Sequence, residues 1–115
     1  MSEWTKEILS GSTHGRGIKI TQAATPGDLV HMAINDTDLI DEVYLFAVHN
    51  HTTYVDVTVE FGGTTDPDDL IVTRMQPRQE YVICPGHPLR NNLAVRVFAS
   101  VADVVAVFGH VHREA

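Results

Sequence analysis

"YVDVTVEF", residues 54–61, places Val55, Val57, Val59 and Phe61 at alternate positions, with Asp56, Thr58 and Glu60 between them. A period of two is the signature of a strand with one dry face and one wet face. An α-helix, at 3.6 residues per turn, would scatter those four apolar side chains around its surface. "LAVRVFA", residues 93–99, repeats the alternation around Arg96. The two stretches, with Val105 and Val107, supply the expected core: Val55, Val57, Val59, Phe61, Val95, Val97, Val105 and Val107.

Outward from this segment the chain reads as strands and turns. "GIKITQA" (17–23) is a short strand closed by the Pro-Gly turn of "ATPGD". "LVHMAI" (29–34) follows, then the turn-formers "NDTD". "EVYLFAVHN" (42–50) is apolar on both faces, as a central strand covered on both sides would be. After the acidic loop "GGTTDPDD" (62–69) come "LIVTRM", the turn "QPRQ" and "YVICP". Pro85, Gly86 and Pro88 are expected to end that strand. "LAVRVFAS" and "VVAVFGHVH" read as a closing hairpin across "VADV". About eight short antiparallel strands without helical periodicity predict an all-β fold, a jelly-roll-like β-sandwich over residues 16–115.

Residues 1–15 read differently. "WTKEILSGSTHGRG" offers three apolar anchors, Trp4, Ile8 and Leu9, ahead of a Gly/Ser/Thr run. The expectation is an extended N-terminal arm in which these anchors share one face of a helical turn and bind a partner. At 115 residues the chain has room for one core.

The formal charge is −7, from 15 acidic and 8 basic side chains, and no basic run occurs. That field repels phosphate backbones, so nucleic acid is not expected as a direct partner. No signal peptide and no apolar run of membrane-spanning length is visible, so the chain is expected to be made in the cytoplasm and to act away from membranes. A single cysteine, Cys84, excludes an internal disulfide and a cysteine-rich zinc site. Within "YVICP" it reads as a small buried hydrophobe.

Seven histidines include two pairs at i, i+2, His49/His51 and His110/His112. On a strand each pair would share a face and could ligate a metal. Cupins, also jelly rolls, follow such a pair with Glu after three or four residues. Here Glu60 stands nine positions after His51, and Glu114 two after His112. The pairs therefore read as polar strand ends, and no metal or cofactor is expected. Asp66, Asp68 and Asp69 have the chemistry for calcium but match no calcium-loop spacing, and they read as a solvated turn. No nucleophile elbow, phosphate-binding loop or dinucleotide fingerprint occurs, and catalytic residues are not expected. The apolar surplus on "EVYLFAVHN" and "VVAVFGHVH" exceeds what one core needs and points to subunit contact.

The succession "KEILSGSTHGRGIKITQAATPGDLVHMA", "DEVYLFAVHN", "VEFGGTTDPDDLI" and "FGHVHR" resembles small structural proteins of tailed bacteriophages. The likeness runs from Lys6 to Arg113 and is most specific in "GSTHGRGIKI", "TPGDLVH" and "PDDLI". It implies a β-sandwich virion component without catalytic residues. The expectation is a capsid decoration (cement) protein on the outer surface of the phage head, a homotrimer bound to the major capsid protein. Two other readings stand beside it: a head–tail connector or tail-tube component, and a virion-displayed carbohydrate- or receptor-binding module.

Overall fold

The computed structural model describes residues 3–115; Met1 and Ser2, the start of the expected arm, lie outside the described residues. Among the described residues nine strands and no helix are formed: β1 (Trp4–Ile8), β2 (Ile18–Ile20), β3 (Asp28–Met32), β4 (Asp41–His49), β5 (Val55–Phe61), β6 (Leu70–Met75), β7 (Glu80–Leu89), β8 (Ala94–Ala99) and β9 (Val105–Glu114). They build two antiparallel sheets. One has the order β1-β9-β4-β7, with β2 also paired to β9, and the other β3-β8-β5-β6. The all-β sandwich is thus the fold of this chain.

Four pairings nest: β2 with β9, β3 with β8, β4 with β7 and β5 with β6. The chain is one long antiparallel ribbon, bent at the loop of residues 62–69 and rolled until β4 meets β9 and β5 meets β8. Between the sheets lie the inward side chains of β2 to β9, while every residue of β1 is exposed. Val55, Val57, Val59, Val95, Val97, Val105 and Val107 are all at most 1% exposed, while Phe61 is half-buried against them. Cys84 is fully buried, and its Sγ donates to the Val43 carbonyl at 3.2 Å.

Four local expectations are corrected. First, β8 and β9 are not a hairpin; residues 100–104 carry the chain from one sheet to the other. Second, β7 does not stop at Pro85 but runs to Leu89. It is an edge strand, where a missing N–H costs no ladder bond. Ile83 and Gly86 are extra residues opposite β4 that keep its faces in phase. Gly86 has φ +106°, and a Cβ there would meet the Tyr44 ring at 2.9 Å.

Third, Trp4, Ile8 and Leu9 share no helical face. Trp4–Ile8 is a strand in register with β9, from Trp4 opposite Glu114 to Ile8 opposite His110. The chain then crosses to the other sheet, where the Gly11 N–H donates to the Val30 carbonyl at 2.9 Å. A Cβ on Gly11 would lie 2.5 Å from the Leu29 carbonyl oxygen, so only glycine allows this approach. Leu9 is 1% exposed and belongs to the core, while Trp4 and Ile8 remain exposed. Fourth, the second face of β5 is not uniformly wet. Thr58 and Glu60 are buried there.

Candidate functional site

The outward face of the five-stranded sheet gathers the apolar surplus of β4 and β9. Its rows follow from the register. Lys19, Ala106, Val48 and Glu80 cross the sheet in one line. Phe108, Phe46 and Val82 form the next, then Ile8, His110, Tyr44 and Pro85, then Lys6, His112, Glu42 and Pro88. The Phe46 and Phe108 rings stack with centroids 5.4 Å apart. Tyr44 stacks on His110 at 5.1 Å, with His112 edge-on at 5.5 Å. Of eight exposed large hydrophobic residues among those described, Trp4, Ile8, Tyr44 and Val82 lie on this face. Gly109 lets β9 lie close beside β4 here, since a Cβ would fall 1.9 Å from the Tyr44 carbonyl oxygen.

His110 and His112 do share that face, 5.1 Å apart between ring centroids. Burial, with the positive charges of Lys6 and His112 added, lowers the pKa of His110. The His49/His51 pair is arranged otherwise. His49 points into the core, where its Nδ1 accepts the His51 N–H at 3.0 Å and its Nε2 faces the Met75 carbonyl at 3.2 Å. Both of its ring nitrogens are committed, so the pair cannot clasp an ion as it stands. Among the described residues no group of three or more His, Cys, Asp or Glu is placed to hold a metal.

The acidic loop folds on itself. The Thr65 N–H donates to Asp69 Oδ2 at 3.0 Å, and the Asp69 N–H returns to the Thr65 carbonyl at 2.8 Å. Burial pushes the Cys84 thiol up, which disfavours the reactive thiolate. A cleft of about 450 Å³ opens at one end of the sandwich between Ile40, Pro88, Leu89, Arg90, Asn91 and Leu93. The Arg90 guanidinium is spent on the carbonyls of Thr37 and Asp38, which leaves the cleft an apolar recess without convergent polar groups.

Two buried polar clusters have no local signature in the sequence. In one, the Ser10 N–H donates to His31 Nδ1 at 3.0 Å, which leaves the ring proton on Nε2 for Asp41 at 2.9 Å. Asp41, fully buried, also accepts the Ile34 N–H and both arms of Arg113 at 2.8 and 2.9 Å. Burial outweighs the pull of Asp41 and lowers the His31 pKa. Burial opposes the charge on Asp41 as well, but hydrogen bonds from Arg113 and His31 prevail and hold its carboxyl below the usual range. In the second cluster the Glu60 carboxyl accepts the Gly27 N–H at 2.6 Å and the Thr25 hydroxyl. Beside it, at the exposed rim, Asp28 takes the Thr21 hydroxyl at 2.9 Å and the Thr21 and Gln22 amides. Thus "TPGD" is a loop pinned over the four-stranded sheet. Among the described residues no hydroxyl is placed on His31 as a nucleophile; Ser10 Oγ accepts the Met32 N–H instead.

The outward face of the five-stranded sheet therefore carries four of the eight exposed large hydrophobic residues among those described, with stacked rings between them, and both buried clusters are structural pins. Among the described residues no helix is long and apolar enough to cross a membrane. Comparison with protein-family models, with curated proteins and with solved structures finds no match.

Proposed function

We propose that this chain is a structural protein of a tailed-phage virion, most simply a decoration protein on the outer surface of the head. One observation carries the reading: an aromatic and aliphatic face on β4 and β9 that its own core does not use. The sequence resemblance supports the setting, and the strand order, which we read as jelly-roll-like, suits a compact block that presents flat faces to neighbours. In this role the protein does no chemistry. It holds shell subunits together, with the major capsid protein as partner and copies of itself alongside, three around a local axis being the form the resemblance implies. With a net charge of −7 the free protein stays soluble, and its seat on the shell must carry compensating positive charge.

The test is the copy number in purified particles, by quantitative mass spectrometry, with immunogold to locate the protein. Hundreds of copies on the head are expected. A dozen or fewer at the neck would make it a connector, and absence from particles would end the virion reading.

A further inference from the structure

The outward face of the five-stranded sheet is charged in one sense across its width. Lys19 and Lys6 stand on the β2/β1 side, with Glu42 on β4 and Glu80 on β7 toward the other side. Lys19 and Glu80 end the same row but are three strand spacings apart, roughly 14 Å, so they are not partners within one chain. Both side chains are exposed. Between them lies only Ala106 and Val48, and the rows beyond are the stacked phenylalanines and the Tyr44–His110 pair.

A two-fold axis parallel to the strands, passing between β4 and β9, reverses every row when one sheet is laid on another. Lys19 then falls over Glu80 of the second copy, and Glu80 over its Lys19. His112 falls over Glu42, and the Phe46–Phe108 stack meets its own image. A face that is complementary to itself under a two-fold operation is what an isologous interface requires. We propose that this face is the contact between two copies of the chain, packed sheet on sheet about 10 Å apart in the aligned manner of a sandwich.

Size supports a second copy as the occupant. Trp4, Ile8, Tyr44 and Val82 are 45%, 55%, 36% and 64% exposed, and with the half-buried Phe46 and Phe108 rings they spread apolar surface over β1, β9, β4 and β7, the breadth that a contact of about 800 Å² per partner requires. The opposite face also exposes Leu29, Tyr54 and Val72, but polar groups interrupt them, and the Arg74 guanidinium lies 4.0 Å over the Tyr54 ring. There Asp56 and Arg74 form an ion pair at 2.9 Å, and the loop before β3 is pinned on Glu60. The proposal rests on the self-association in the reading above but not on its virion setting, and it makes the basic unit two-fold rather than three-fold.

Sedimentation equilibrium of the full chain is the test, because it is blind to copy number in any particle. The expected mass is twice 12.7 kDa. Val82 is 64% exposed on an edge strand, so Val82→Glu is expected to give a folded monomer with an unchanged circular dichroism spectrum. Lys19→Glu and Glu80→Lys each place like charges opposite one another twice per dimer and are expected to weaken association about tenfold. Combined, they restore opposite charges, and association returns to within about twofold of the original. A monomer at concentrations up to about 1 mM overturns the proposal. So does a three-copy mass, or a dimer that the combined exchange fails to recover.

Discussion

Protonating His31 turns its Nδ1 from an acceptor into a donor aimed at the Ser10 amide, so two N–H groups meet head to head. The cost appears in the direction of its pKa, which lies below the ordinary value of 6.5 because burial outweighs Asp41. As pH falls below about 6.5 the unfolded chain takes up a proton that the folded chain refuses, so folding stability falls with it. His110, also lowered, acts in the same direction. Asp41 contributes further down. Its stabilisation is complete above the ordinary carboxyl value of 3.8 and is lost as pH drops through its lower folded value. Urea midpoints measured from pH 7.5 to 5 are expected to decline, and His31→Gln, which cannot titrate, is expected to flatten that slope. A slope that His31→Gln leaves unchanged would assign the acid sensitivity elsewhere.

At the scale of elements, β1 and the residues after it behave as separate pieces. Trp4–Ile8 adds five residues to an open edge, whereas Leu9, Ser10 and Gly11 tie the two sheets together. Leu9→Ala is expected to cost about 2–4 kcal/mol, as for other fully buried leucines. Ile8→Ala, at a position 55% exposed, is expected to stay within about 0.5 kcal/mol. A chain lacking residues 1–8 should keep a cooperative thermal transition, while one lacking residues 1–12 loses Leu9 and the partner of His31 and should not. Equal melting temperatures for the two truncations would return the whole segment to the status of an arm.

These elements also show what was legible. The period of two in β5 and β8 fixed the sandwich, and the double-sided apolar character of β4 and β9 marked the outward face, because both signals are local. Leu9 was not legible as core, since a single leucine between a charged strand and a Gly/Ser run carries no period. Glu60 was assigned to water by the same alternation that placed Val59 in the core; its burial depends on a loop that ends 33 residues earlier. The run through Pro85–Pro88 reads as a break in sequence because an edge position, which excuses the prolines, is a property of the sheet and not of the segment.

For the molecule as a whole, the nested pairings set the order in which contacts can close. Of the four nested pairs, only β5 and β6 are consecutive in the chain; β4–β7, β3–β8 and β2–β9 bring together progressively more distant segments. Each longer closure costs more chain entropy before its contacts form. Refolding is therefore expected on the millisecond-to-second scale typical of β-sandwiches. In stopped-flow measurements Val59→Ala, in the innermost pair, should slow refolding. Ile20→Val, in the outermost, should instead speed unfolding. The reverse assignment would mean that the ribbon closes from its ends.

The same ribbon ends where it begins. The Ala115 N–H donates to the Glu3 carbonyl at 2.8 Å, one step beyond the Trp4–Glu114 pair. The two described ends thus stand side by side as the open mouth of a hairpin, and a turn of about two to four residues could seal them into a ring. Cutting that ring within the self-contained loop of residues 62–69 would give a permuted chain with the same two sheets and new termini at the far end of the ribbon. Anything continuing from either described end, by contrast, leaves from a single corner beside β1.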